Sequence, residues 1–241
     1  MSHTTSRRFW AIVPAAGIGS RMQSAQPKQY LPLLGKTLLE ITLEKLLQLD
    51  MLEGIVVALH PHDRTFTQLA VSQHPKIHTT VGGKERSDSV QCGLYYCAEQ
   101  QSASNENMWV LVHDAARPCV TLDKIQALIS ATEQGQHAGG AILAVPCADT
   151  VKRVSQQCIE HTEERSQLWL AHTPQLFPLK TLADALAHCA KENIAITDEA
   201  SAIESTGGTV GVVQDRRDNI KVTVPEDLAW ATTVLTQQGM T

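Results

Sequence analysis

The chain lacks most of the features that would classify it quickly. Its six cysteines, Cys92, Cys97, Cys119, Cys147, Cys158 and Cys189, include no C-x-x-C pair and hold no metal-like spacing to the ten histidines. That argues against a zinc module and for free thiols in a reducing compartment. No run of about eighteen apolar residues occurs, so no membrane span is expected. The one early apolar candidate, behind "MSHTTSRRFW", is broken by Pro14 and Gly17, and no signal peptide is expected. Positive charge is not in excess: 20 Lys and Arg stand against 25 Asp and Glu, a net of −5, and only 4% of residues are aromatic. General attraction for nucleic acid and a base-stacking platform are both missing. A soluble cytoplasmic protein is expected, in which any anionic ligand must be held by a local cluster.

What is present is 241 residues with 43% hydrophobic content, enough for one large domain. Short apolar runs (Trp10 to Val13, Ile55 to Leu59, "WVLVHD", "GGAILAVP") alternate with helical patterns such as "TLLEITLEKLLQL". This alternation predicts an α/β fold with a mainly parallel sheet and helices on both faces. Thr37 with Glu40 predicts a capping box, Thr197 a cap for a helix stopped by Gly207 and Gly208, and Pro225 the opening of a last helix. From Cys147 to Thr173 the text turns polar and lacks a long amphipathic face. It reads as a protruding hairpin arm or as a mobile surface loop. A ribbon is marginal alone, and a second copy of the chain is its natural support.

Two places point to chemistry. In "AIVPAAGIGSRMQSAQPKQY" a strand ending at Pro14 gives way to Ala15, Ala16, Gly17 and Gly19, small residues that let backbone N–H groups approach an anion. It is neither a Walker loop nor the full dinucleotide fingerprint, and a Gly-x-Gly pair alone is equally a tight strand-to-helix turn. Arg21 and Lys28 shift the balance toward a site that gathers phosphate oxygens. In "VLVHDAARP" a strand delivers Asp114 to its carboxyl end, where ligands of open α/β sheets collect and a carboxylate facing a triphosphate can hold Mg²⁺. Taken by itself Asp114 could equally cap the turn that follows.

The order of "PAAGIGSRM", "PKQY", "GGKERSDSV", "VHDAARP", "ITDEASAIE" and "DNIKVTVPEDL" resembles the 2-C-methyl-D-erythritol 4-phosphate cytidylyltransferases from about Ile12 to about Leu228. The resemblance implies a single Rossmann-like nucleotidyltransferase domain over 1–241 with an arm at about 147–173, dimerising by arm exchange. It also implies transfer of CMP from CTP to methylerythritol phosphate with loss of pyrophosphate, in the non-mevalonate route to isoprenoid precursors. By that resemblance Arg21 and Lys28 stabilise the transition state, and Lys221 reaches the reacting phosphates and helps place the acceptor. Arg165 binds the methylerythritol phosphate, with Thr150, Thr173 and Thr197 on the same substrate. Base and ribose are read by Pro14, Ala15, Ala16, Gly83, Ser89 and Ala115, beside the metal-binding Asp114. A ribitol 5-phosphate cytidylyltransferase, or another sugar-phosphate nucleotidyltransferase, would share the loop, Arg21, Lys28 and Asp114, and would differ in the acceptor set. A nucleotide-binding regulatory protein would keep the loop but have no use for Arg165 and Lys221.

Overall fold

The first strand, β1 (Arg8–Ala15), shows how the layers are arranged. Phe9, Ala11, Val13 and Ala15 enter one apolar cluster, while Trp10 and Ile12 enter another. A strand covered on both faces has no polar side to alternate with, so its text is continuously apolar. The computed structural model describes residues 7–17, 26–100 and 107–240.

After β1 come β2 (Pro32–Leu33), β3 (Lys36–Thr37), α1 (Leu38–Leu47), β4 (Leu52–Leu59), β5 (Ile77–Val81) and α2 (Arg86–Glu99). β6 (Met108–Val112), α3 (Leu122–Glu133), β7 (Ala141–Pro146), β8 (Lys152–Ser155) and β9 (Cys158–Thr162) follow. The chain continues with β10 (Trp169–Pro178), α4 (Leu179–Glu192), α5 (Glu199–Ser205), β11 (Gly211–Gln214) and α6 (Glu226–Gln237). Seven strands form one sheet in the order β11-β7-β10-β6-β1-β4-β5, parallel except for β10, which runs antiparallel to β6 and β7. The expected mainly parallel α/β sheet is therefore present. α1 and α3 cover one face and α2, α4 and α5 the other. A third cluster under α6 joins Ala116 and Cys119 to Val222, tying the segment after Asp114 to the "DNIKVT" segment.

The capping box at α1 forms as expected: Glu40 N–H reaches Thr37 Oγ1 at 3.2 Å and Thr37 N–H reaches Glu40 Oε2 at 2.8 Å. At α5 the expected cap is displaced by one residue. Asp198 caps the helix, its carboxylate accepting Ser201 N–H at 3.0 Å. Asp is the better N-cap acceptor, and Thr197 is left exposed before it. Pro225 opens α6 as expected.

The polar excursion divides in two. β8 and β9 form an antiparallel hairpin outside the main sheet, exposed along its length, with Gln156 and Gln157 at φ 47° and 65° in its turn. From Trp169 onward the chain runs in β10, and Trp169 opposite Pro146 through Ala171 opposite Ala144 pair it with β7, so residues 169–171 join the main sheet. Polar neighbours obscured this strand in the text, because its first three residues remain exposed.

Candidate active site

Parallel strands end together, and β6 delivers His113 and Asp114 to the same edge as Ala15 at the end of β1. Asp114 is buried, and burial by itself would raise its pKa; Arg86, then Lys221 and Arg117, hold it well below the usual carboxylate range. Arg86 Nε lies 2.9 Å from Asp114 Oδ1, Lys221 Nζ 2.8 Å from Oδ2 and Arg117 Nε 3.6 Å from Oδ2. Arg86 turns its other two nitrogens on Glu199, at 2.5 and 3.0 Å, a bidentate pair closed across 113 residues. Three cations thus face two carboxylates, leaving an excess of one positive charge where the sheet edge opens.

The backbone of Asp114 is held by a buried relay. Its N–H donates to Thr173 Oγ1 at 3.0 Å, Thr173 Oγ1 lies 3.0 Å from His113 Nδ1, and His113 Nε2 lies 3.1 Å from the Arg117 carbonyl. A carbonyl only accepts, so Nε2 carries the proton; Nδ1 is then the acceptor and the Thr173 hydroxyl donates to it. Burial pushes the His113 pKa down to about 4, so the ring is neutral at pH 7. Asn219 Nδ2 bridges the Thr173 carbonyl at 2.9 Å and Asp215 Oδ2 at 2.7 Å, which explains what the asparagine of "DNIKVT" does two residues before Lys221.

Two clefts meet at this ion-pair cluster. The first lies at the carboxyl ends of β1 and β6. Pro14, Ala15, Ala16 and Gly17 form one wall, Gly83 and Ser89 another, and Lys28, Asp114, Ala115 and Lys221 also line it. Gln29 Nε2 donates to the Ala15 carbonyl at 2.7 Å and Tyr30 O–H to Asp63 Oδ2 at 2.6 Å, fixing the segment that carries Lys28. Ser89 is spent internally, accepting Gly83 N–H at 3.2 Å and donating to the Glu85 carbonyl. A Cβ at Gly82 would sit 2.6 Å from Ala16 Cβ, so any larger residue there would force this wall to shift. The second cleft brings Thr173, Thr197 and Lys221 together with Asp114, Arg117 and His172.

Thr150 and Arg165 do not join either cleft. Both are exposed on the arm, where the Arg165 guanidinium donates to the Ala148 carbonyl. Gly19 and Arg21 lie outside the described residues. Arg86, Arg117, Glu199 and His113 were given no role from sequence, although each stands in or beside a quoted motif; the ion pairs and hydrogen bonds that give them roles are tertiary. Among the described residues no group of three or more His, Cys, Asp or Glu could hold a metal ion. The donor set at the cleft junction is the Asp114 carboxylate: Oδ1 accepts from Arg86 and Oδ2 from Lys221, with Arg117 farther off at 3.6 Å, so each oxygen keeps lone-pair capacity. That fits Mg²⁺, which takes one carboxylate with water and substrate phosphates, and does not fit a metal needing an all-protein cage.

A family model described as IspD, 2-C-methyl-D-erythritol 4-phosphate cytidylyltransferase, matches residues 9–237. A protein of Tolumonas auensis bearing that enzyme name is 52% identical over 233 residues, covering 96% of this chain and 98% of the relative. One of Vibrio atlanticus with the same name is 51% identical, covering 94% and 95%. The crystal structure of the Francisella tularensis 2-C-methyl-D-erythritol 4-phosphate cytidylyltransferase superposes with a TM-score of 0.79 at 38% identity, over 94% of this chain and 99% of that one. With the ion-pair cluster at the sheet edge and the paired clefts, these likenesses make the chain a member of the 2-C-methyl-D-erythritol 4-phosphate cytidylyltransferase family of nucleotidyltransferases.

Proposed function

We infer that the chain transfers CMP from CTP to 2-C-methyl-D-erythritol 4-phosphate, releasing pyrophosphate and forming 4-diphosphocytidyl-2-C-methyl-D-erythritol for isoprenoid precursor synthesis. The observation that carries this reading is Asp114, compensated by Arg86, Lys221 and Arg117 at the junction of two clefts. Two anions can be received side by side there. A phosphate monoester loses its second proton near pH 6 and arrives as the nucleophile, so no general base is needed. His113 suits this, because its one ring proton is committed to the Arg117 carbonyl. The difficulty is bringing one polyanion against another, in line with the departing pyrophosphate. Lys28 and Arg21 are assigned to the charge that develops on the α-phosphate, and Lys221 to the approach of the acceptor.

Pro14, Ala15, Ala16, Gly17, Gly83, Ser89 and Ala115 are assigned to the nucleotide, and Thr173 and Thr197 to the acceptor. Thr173 also holds the Asp114 backbone. Asp114 would hold Mg²⁺, which when bound supplies charge neutralisation on the phosphates. Thr150 and Arg165 are assigned to the acceptor site of a second copy, with the arm crossing in a homodimer; their distance from both clefts of their own chain supports this. Exposed Val154 and Ile159 on the hairpin, with exposed Trp169 and Leu170 beside its base in β10, give an apolar surface to bury there. The reaction is assigned to the cytoplasm, consistent with six unpaired cysteines and with no helix among the described residues long and apolar enough to cross a membrane.

The test is pyrophosphate release with Mg²⁺, comparing CTP with UTP and methylerythritol phosphate with ribitol 5-phosphate. Release confined to CTP and methylerythritol phosphate is expected. Release with ribitol 5-phosphate instead would overturn the acceptor assignment, and no release with any pair would leave nucleotide binding without transfer.

A further inference from the structure

The register of β10 against β7 shifts between Ala171 and Gln175, and this irregularity frees His172 and Thr173 from the ladder. Thr173 serves the backbone of Asp114. His172 also lines the second cleft, yet nothing in the chemistry above uses it. Its ring is buried and oriented: Nδ1 lies 2.8 Å from Asp215 Oδ2, an oxygen that also receives Asn219 Nδ2 at 2.7 Å. Asp215 is anchored in turn, its N–H donating to the Ala144 carbonyl of β7 at 2.9 Å. Burial would raise the Asp215 pKa, but the bonds from His172, Asn219 and the Arg216 backbone hold it below the usual range, so it acts as an acceptor. With Nδ1 donating to Asp215, the tautomer this contact selects carries its lone pair on Nε2. Nε2 makes no hydrogen bond to the described residues.

The second cleft is otherwise rich in donors and short of uncommitted acceptors. Arg86, Arg117 and Lys221 bring cations to it. Asp198 spends its two carboxylate oxygens on Ser201 N–H and the Gln175 amide, and Gln175 Oε1 accepts Ala200 N–H. Cations suit a phosphate, but the hydroxyls of a polyol phosphate also need somewhere to donate. We propose that His172, oriented by Asp215, is a specificity-determining residue of the acceptor cleft, its Nε2 accepting a hydrogen bond from one hydroxyl of the polyol phosphate. This rests on the reaction assigned above. It gives the enzyme a means of telling a correctly hydroxylated acceptor from a phosphate of similar size, since a missing hydroxyl would leave Nε2 desolvated and unpaired.

The experiment measures kcat and KM for pyrophosphate release by the full-length chain, using His172→Phe, His172→Gln and Asp215→Ala and acceptor analogues lacking one hydroxyl each. His172→Phe is expected to raise the acceptor KM about tenfold while the CTP KM stays within about twofold. His172→Gln, which keeps both a donor for Asp215 and an acceptor for the substrate, should recover most of that loss. Asp215→Ala should raise the same KM and add little on top of His172→Phe. One deoxy analogue should be poor for the unaltered chain and suffer no further penalty with His172→Phe. An unchanged acceptor KM, equal rises for CTP and acceptor, or additive losses with every analogue would overturn the assignment of His172. No turnover by the unaltered chain with CTP and methylerythritol phosphate would overturn the reaction itself, and this inference with it.

Discussion

His113 is fully buried, bonded through both ring nitrogens and neutral, with its pKa pushed down to about 4 against 6.5 for a free imidazole. Burial is the main cause; the neighbouring Asp114 carboxylate works the other way and loses. Between these two pH values the unfolded chain binds a proton that the folded chain refuses, so folded stability falls as pH is lowered. The contribution is fully present above about 6.5 and gone by about 4. A gap of about 2.5 pH units at about 1.36 kcal/mol each is roughly 3 kcal/mol, a large part of the 5–15 kcal/mol typical of a domain. Protonation would also put a hydrogen on Nδ1, where the Thr173 hydroxyl now donates, and so disturb the group that holds the Asp114 N–H. The assay is urea unfolding at steps from about pH 7 to about pH 4.5 for the unaltered chain and for His113→Gln, which cannot titrate. Asp114 and Asp215, both held below the carboxylate range, lose their stabilisation only below the ordinary value of 3.8 and so outside this window. The unaltered chain should weaken by up to about 1.4 kcal/mol per pH unit more steeply than the variant. Parallel curves for the two proteins would refute the reasoning.

Four further outcomes follow from the geometry. Arg21→Ala or Lys28→Ala should lower kcat by on the order of a hundredfold with a smaller change in CTP KM; steady-state kinetics showing only weakened CTP binding would sink the assignment. Arg86→Met strands the buried Glu199 carboxylate, and urea unfolding should register a loss of about 3–5 kcal/mol. Gly82→Ala drives a methyl group to within 2.6 Å of Ala16 Cβ and 2.8 Å of Ser89 Oγ. It should raise the CTP KM more than the acceptor KM, and equal effects would argue against this wall serving the nucleotide. Mixing Arg21→Ala with Arg165→Ala protomers should restore part of the activity, because one shared site is then intact; verified heterodimers without rescue would mean sites completed within one chain.

Local chemistry was legible in the text. The buried strands announced themselves as continuous apolar runs, Thr37 and Glu40 as a capping box, and Pro225 as a helix start, because each depends on neighbours within a few residues. The strand-borne Asp114 was readable for the same reason: a carboxylate at a strand end is a local pattern. Two local readings failed where alternatives competed. Asp198 displaced Thr197 as a cap because it is the stronger acceptor one position on, and exposed residues at the start of β10 hid a strand inside a polar segment.

What the sequence by itself determined is therefore the fold class, the family and the placing of Asp114 at a strand end, since periodicity and short motifs are properties of adjacent residues. Only the tertiary structure decided that Arg86 clamps Glu199 while touching Asp114, that His113 is a neutral strut under the same residue, and that His172 and Asp215 meet in the second cleft. The contacts Arg86–Asp114, Arg86–Glu199, His113–Thr173 and His172–Asp215 join residues from 28 to 113 positions apart. Their energies come from burial and charge pairing, which exist only once the strands have brought those side chains out of water together.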